Sequence, residues 1–306
     1  MSALHPRTAR ISGLLVTATA VVGGLVPVGV ARAVSGPEAA AGRHPSVVEL
    51  SIGDEANSRG CTGALVDDSW VLTAASCFAA TAGAAVPAGA PALKTTMTLA
   101  DGRRVEVVEL VPRTDRDVVL ARLAAPAAGI AGVKQAGTVP AAGVDLTAVG
   151  FGRTRTEWVP GKLHTGAFTL NSSDATTLTI TGKGADAICK GDTGGPLLNA
   201  AGELVGVNSR SWQGGCLGMD PTETRTGAVS ARTDDLGSWI KETTRRVLRD
   251  VNGDGRSDAV MVYHHANTAI GFYSSLTKPD GGFDDFTVGY TVPASAGWDW
   301  NAIQLP

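Results

Sequence analysis

Short runs of β-branched and apolar residues recur along most of this chain, with Gly, Pro, Asp or Asn turn signals between them rather than directly after every one. They fall at residues 47–52, 62–66, 71–73, 95–99, 103–111, 118–123, 146–149, 167–170, 177–180, 196–198 and 204–207. Many short strands punctuated by turns bury their apolar faces only by packing sheet on sheet or by closing on themselves, so a sandwich or barrel is predicted. Asp101-Gly102 marks a tight hairpin turn between two of the runs, with Gly free to take positive φ. The Ala-, Gly- and Pro-rich stretches 79–92 and 124–143 read as loops. Residues 233–248 alone read as a helix of useful length, with Leu236, Trp239, Ile240, Thr244 and Val247 at three-to-four spacing. Composition points the same way: 39 glycines and 18% charged residues suit turn-rich β-structure better than long surface helices. A 43% hydrophobic content in 306 residues can bury a core, which excludes a wholly disordered chain. The net charge of -3 supplies no basic field, so nucleic acid is not an expected partner. The expected class is all-β.

Residues 1–33 have the layout of a secretory signal peptide. Arg7 and Arg10 form a basic start, residues 11–30 are apolar, and Ala31-Arg32-Ala33 is a small-x-small cleavage site. Thr17, Thr19, Gly23, Gly24 and Pro27 weaken the segment as a bilayer span. The mature chain is expected to begin at Val34, to be secreted to the extracellular space, and to have no membrane partner after cleavage. Cysteines pair in that oxidising setting. Cys61, Cys77, Cys189 and Cys216 allow three connectivities, with bridges inside each local pair favoured, and no spacing matches the C-x-x-C of a zinc site. All three tyrosines, Tyr263, Tyr273 and Tyr290, lie beyond residue 250, together with Trp298 and Trp300. That shift in composition places a domain boundary near Arg249, giving domains at 34–249 and 250–306.

Three separated blocks carry a family resemblance: Cys61-Thr-Gly-Ala-Leu-Val66 with Trp70-Val-Leu-Thr-Ala-Ala-Ser76-Cys77, then Asp117-Val-Val-Leu-Ala-Arg-Leu123, then Cys189-Lys-Gly-Asp-Thr193-Gly-Gly-Pro-Leu197. In content and order they resemble the signature blocks of the chymotrypsin/trypsin-like serine proteases. Phe151-Gly152, Ser209-Arg-Ser211-Trp212 ahead of Cys216, and Ser238-Trp239-Ile240 add to the likeness, which spans about residues 34–246. It implies a trypsin-like double antiparallel β-barrel with a C-terminal helix, an active site in the cleft between the barrels, and bridges Cys61–Cys77 and Cys189–Cys216.

Two of the three catalytic positions are altered. The resemblance puts Ser76 where the family has its general-base His and Thr193 where it has its nucleophilic Ser; only Asp117, the orienting carboxylate, matches. The triad needs an imidazole to take the hydroxyl proton and return it to the leaving group, which a serine hydroxyl at position 76 cannot do near neutral pH. The Thr193 methyl group also stiffens χ1 and crowds the attack. Losing the base in a related triad costs about 10⁶ in turnover, so ordinary proteolysis is not expected. None of His44, His164, His264 and His265 is expected beside Asp117 and Thr193.

The backbone N–H groups of Gly191 and Thr193 are implied to form an oxyanion-hole-like nest. Asp192 matches the carboxylate that pairs with a freed N-terminal amine, here that of Val34. The resemblance puts Ala187 at the position that sets the primary pocket in trypsin-like relatives, which implies a preference for an apolar side chain. Ser211 and Trp212 belong to the pocket region, and either Ser209 or Ser211 matches the serine that supports the catalytic Asp.

In the tail, Asp250, Asn252, Asp254 and Asp258 present oxygen ligands around Gly255 in a pattern suited to Ca²⁺. The Glu that closes an EF-hand is absent. The loop and the following residues 259–263 and 270–273 resemble an FG-GAP/VCBS-type repeat, a single propeller-blade-like β unit that needs a neighbour, such as another chain, to cover it. The family alone would label the chain a serine-type endopeptidase. The leading expectation is a pseudoprotease acting as a binding module for a peptide or protein. The alternatives are an active hydrolase, endopeptidase or esterase, using Thr193, and a Ca²⁺-dependent extracellular adhesion protein.

Overall fold

The computed structural model of the protein describes residues 36–245, 251–252, 258–265, 269–278 and 282–296. Backbone contacts divide the chain into Met1–Val30 and Ala31–Pro306, and every described residue belongs to the second unit. The expected signal segment, Val34, the expected boundary near Arg249, and Asp250 and Asp254 of the tail loop lie outside the described residues.

Six strands form a first closed barrel: β1 (Val47–Ile52), β2 (Arg59–Asp67), β3 (Trp70–Thr73), β4 (Thr95–Thr98), β5 (Arg104–Pro112) and β6 (Val119–Leu123), in the order β1-β2-β3-β6-β5-β4. The period-2 pattern explains the burial. Along β5, Val105 and Val107 point inward while Arg104, Glu106 and Val108 point out, and a bulge between Val107 and Glu109 shifts the phase so that Leu110 returns to the core. The β4–β5 connection uses Asp101-Gly102 as its residues predict: Gly102 has φ 83°, and the Asp101 carboxylate accepts the Arg103 N–H at 3.0 Å. Leu50, Leu65, Leu72, Met97 and Leu120 fill the barrel interior.

A second closed barrel comprises β7 (Asp145–Gly150), β8 (His164–Ser173), β9 (Thr177–Gly182), β10 (Pro196–Leu198), β11 (Leu204–Ser211) and β12 (Gly227–Arg232), in the order β10-β11-β12-β9-β8-β7. Leu146, Phe168, Leu170, Leu178, Ile180, Ile188 and Leu197 pack its interior. The sequence pattern did not predict β12, whose Gly-Ala-Val-Ser-Ala-Arg run has one β-branched residue; its pairing to both β11 and β9 makes it a strand. The helix α1 (Gly237–Thr244) is shorter than the expected 233–248. Thr233 is buried with its hydroxyl on the Leu204 carbonyl, so the chain enters through a turn, and Leu236 and Ile240 then dock the helix on the core. Residues 246–248 lie outside the described residues.

Both disulfides join the local pairs: Cys61–Cys77 with Cα atoms 6.4 Å apart and Cys189–Cys216 with Cα atoms 5.8 Å apart. In the tail, β13 (Ala259–His264), β14 (Ile270–Ser275) and β15 (Thr287–Val292) make a three-stranded antiparallel sheet. Most side chains of β13 and β15 are exposed or half-buried. No helix among the described residues is long and apolar enough to cross a membrane.

Candidate active site

A cleft of about 600 Å³ lies between the barrels. The first barrel contributes Glu49, Arg59, Ser76 and Cys77, and the second contributes Phe151, Arg153, Trp158, Lys190, Gly191, Thr193 and Ser209. The 3-10 turn Ala75–Cys77 that follows β3 carries Ser76, held by the bridge from Cys77 back to Cys61 on β2. Asp117 sits at the entry to β6, on a segment fixed by its neighbour. Arg116, with a side chain 4% exposed, contacts Asp115 at 3.0 Å and Asp235 at 2.6 Å. Hydrogen bonds from the Arg113 and Arg116 guanidinium groups hold the Asp115 carboxyl far below its ordinary range.

Ser76 and Asp117 meet in the structure. The Ser76 N–H donates to Asp117 Oδ1 at 2.7 Å, and the Ser76 hydroxyl donates to Oδ2 at 2.8 Å. Ser209 donates to the same Oδ2 at 2.6 Å, so Ser209, not Ser211, supports the carboxylate. The cause is a bulge: Asn208 pairs with Ser230 and Arg210 with Val229, leaving Ser209 unpaired and turned toward Asp117. The Thr193 hydroxyl, on the other wall of the cleft, has no hydrogen-bond partner among the described residues. None of the histidines among the described residues lines the cleft. His44 precedes β1, His164 opens β8, and His264 and His265 lie at the end of β13, His265 pairing with the Tyr273 hydroxyl at 2.8 Å.

The turn before β10 is set by glycine and by burial. Gly191 has φ 101°, and a Cβ there would lie 2.6 Å from the Gly152 Cα, so no other residue fits. Its carbonyl accepts the Thr62 hydroxyl at 2.8 Å, and the Thr193 carbonyl accepts the Thr62 N–H at 2.9 Å. The N–H groups of Gly191 and Thr193, two residues that line the cleft, make no hydrogen bond among the described residues. Asp192 is fully buried and accepts the N–H groups of Gly152 and Cys189, each at 2.8 Å. Burial pushes its pKa up to about 7, while the two N–H donors pull it down.

The residues expected to form the primary pocket do not all line this cleft. Of Ala187, Ser209, Ser211 and Trp212, only Ser209 lines the cleft. Ala187 is fully buried and packs with Cys189, Cys216 and Met219. The Ser211 hydroxyl donates to the Ile188 carbonyl at 2.5 Å, tying β11 to the segment ahead of Cys189. Ser211 and Trp212 instead line a separate concavity of about 370 Å³, together with Thr179 and Val229 of β9 and β12. There the Arg225 guanidinium lies 3.5 Å from the centre of the Trp212 ring.

In the tail, Asp258 is buried, and its carboxylate accepts the N–H groups of Val251 at 2.7 Å and Thr277 at 2.8 Å. Asn252 is exposed. No group of three or more His, Cys, Asp or Glu side chains placed to hold a metal occurs among the described residues. Asp258 thus links Val251 to Thr277, and the remaining expected ligands, Asp250 and Asp254, lie outside the described residues.

The Trypsin family model matches residues 33–240 of this chain. A solved structure described as neuropsin, a serine protease expressed in the limbic system of mouse brain, is similar over 68% of this chain and 98% of its own, with 21% identity and a TM-score of 0.53. That likeness bears on the fold and matches the pair of six-stranded barrels. With the family match extending over most of its length, the chain belongs to the trypsin family.

Proposed function

We propose that this protein is a secreted, catalytically degenerate member of its family whose inter-barrel cleft binds a peptide or protein segment without cutting it. One observation carries the reading. The Thr193 hydroxyl has no base within hydrogen-bond reach among the described residues, and the position beside Asp117 holds a hydroxyl that is itself a donor to that carboxylate. General-base catalysis requires a proton acceptor at hydrogen-bond distance from the nucleophile. Without it, turnover is expected to fall by about 10⁶, leaving roughly 10³–10⁴ over water from the oxyanion nest and binding. The free N–H groups of Gly191 and Thr193 support binding of a carbonyl or carboxylate oxygen. The two disulfides suit an oxidising, extracellular setting.

The test is incubation of the secreted protein with a fluorophosphonate probe and activated esters, beside Thr193→Ala. We expect no labelling and no ester turnover above the variant. Labelling that disappears in Thr193→Ala would overturn the reading in favour of a hydrolase using Thr193. The Ser76→His, Thr193→Ser double variant should gain labelling, since the Asp117 and Ser209 arrangement is already in place.

A further inference from the structure

The cleft is electrostatically lopsided. Arg59, Arg153 and Lys190 line it against a single carboxylate, Glu49, in a chain whose overall charge is -3. The Asp117 carboxylate beneath Ser76 and Ser209 already accepts hydrogen bonds from both residues. None of the three cations has an ion-pair partner among the described residues. Arg59 is anchored through the Ala79 carbonyl at 2.5 Å, and Arg153 through the Leu217 carbonyl at 2.9 Å and the Trp158 ring, whose centre lies 4.5 Å away. Two guanidinium groups are thus held in place at the cleft with donors to spare, and Lys190 lies exposed beside the Gly191 N–H. Trp158 and Val159 are 59% and 77% exposed at the same cleft, and Phe151 adds a half-buried ring.

We propose that the cleft selects acidic peptide segments, with Asp or Glu side chains paired to Arg59, Arg153 and Lys190 and apolar side chains laid on Trp158, Val159 and Phe151. This inference rests on the non-cleaving reading only for the fate of the peptide. A densely charged polyanion is the poorer match, because it would meet Glu49 and a negatively charged protein beyond three cations. A short segment mixing carboxylates with apolar groups fits both halves of the lining. Like charges facing each other across an interface also exclude basic segments.

The experiment titrates three fluorescein-labelled octapeptides, of Ala alternating with Glu, Gln or Lys, into the full secreted chain and reads anisotropy at low ionic strength and at roughly 0.15 M salt. The Glu peptide should bind at least about tenfold more tightly than the Lys peptide, and the gap should narrow with salt. The Lys190 side chain is exposed and makes no hydrogen bond or ion pair among the described residues, so Lys190→Glu should keep the fold and weaken the Glu peptide by about tenfold; Lys190→Gln should weaken it by about threefold. Lys241→Glu on the exposed face of α1 should change nothing. Equal affinities for the three peptides, no binding of any of them, or a Glu peptide indifferent to Lys190→Glu would overturn the proposal. Mass spectrometry of the same samples separates the two readings. Cleavage of a selectively bound Glu peptide sinks the non-cleaving reading while supporting acidic selectivity, whereas intact peptides bound without selectivity sink the selectivity alone.

Discussion

Asp192 couples the site to the solvent through its protonation. Its carboxylate is fully buried, has two N–H donors, and pairs with no cation among the described residues. Its pKa is raised from 3.8 to about 7, chiefly by burial. A folded pKa above the unfolded one means that folding favours the protonated form, so this group's contribution is complete below 3.8 and is lost as pH climbs toward 7. The loss is on the order of 4 kcal/mol. Urea midpoints of the uncut chain should therefore fall from pH 4 to pH 7, and Asp192→Asn should flatten the profile. A chain beginning at Val34 tests the family's amine-to-carboxylate pairing: its midpoint should hold at pH 7, and one added residue ahead of Val34 should restore the decline. A flat profile in the uncut chain would refute the lone buried carboxylate. Ser76, Asp117 and Thr193 were legible because each lies in a contiguous block. The choice between Ser209 and Ser211 was not, since a one-residue bulge decides it. Arg59, Lys190 and the Arg153–Trp158 pair come from three separate segments, and the fold brings them together at the cleft.

Elements were legible where residue type and period agreed. The strands β1 and β10 have the bounds their runs predict, and the Asp101-Gly102 hairpin forms because Gly there can take φ 83°. β12 was hidden because Gly, Ala and Ser carry little strand preference; it owes its conformation to ladders on both sides, with Ala228 and Ala231 small enough to sit against the core. The helix was overextended because a three-to-four spacing cannot show that Thr233 turns inward to Leu204. In the tail the two expected runs form β13 and β14 and the unpredicted β15 joins them, while the acidic loop ahead of them is a proposal that rests on its residues. We expect calorimetry with Ca²⁺ to give a binding isotherm for the wild-type chain that disappears in Asp254→Ala. Asp254 is the better variant because Asp258 holds the Val251 and Thr277 N–H groups, and its loss would remove those contacts whether or not an ion binds. Heat in neither protein would leave the loop a turn that binds no Ca²⁺.

The cleft exists because two closed barrels are locked in one relation, and the lock is built around Thr62. Its N–H and hydroxyl donate to the carbonyls of Thr193 and Gly191, its hydroxyl accepts the Phe151 N–H at 3.0 Å, and its own carbonyl accepts the Thr73 hydroxyl at 2.7 Å. Gly194 lets the second barrel come this close. At φ 85°, a Cβ at Gly194 would meet the Thr73 Oγ1 at 2.0 Å and the Thr62 carbonyl oxygen at 2.3 Å, both fixed atoms of the first barrel. Gly202, in the β10–β11 turn, has a similar φ of 78° and nothing within 4 Å of the same position. Alanine at either site incurs the left-handed backbone penalty of about 1–2 kcal/mol. At Gly194 alone the methyl group must also push the barrels apart, adding about 1–3 kcal/mol or more. Urea denaturation with disulfides intact should therefore place Gly194→Ala well below Gly202→Ala. Gly194→Ala should also weaken peptide binding, since Thr193 and Gly191 would move with the turn, while Gly202→Ala should leave binding intact. Equal destabilisation by the two variants would mean that the barrels yield at this contact and that the cleft is not held by it.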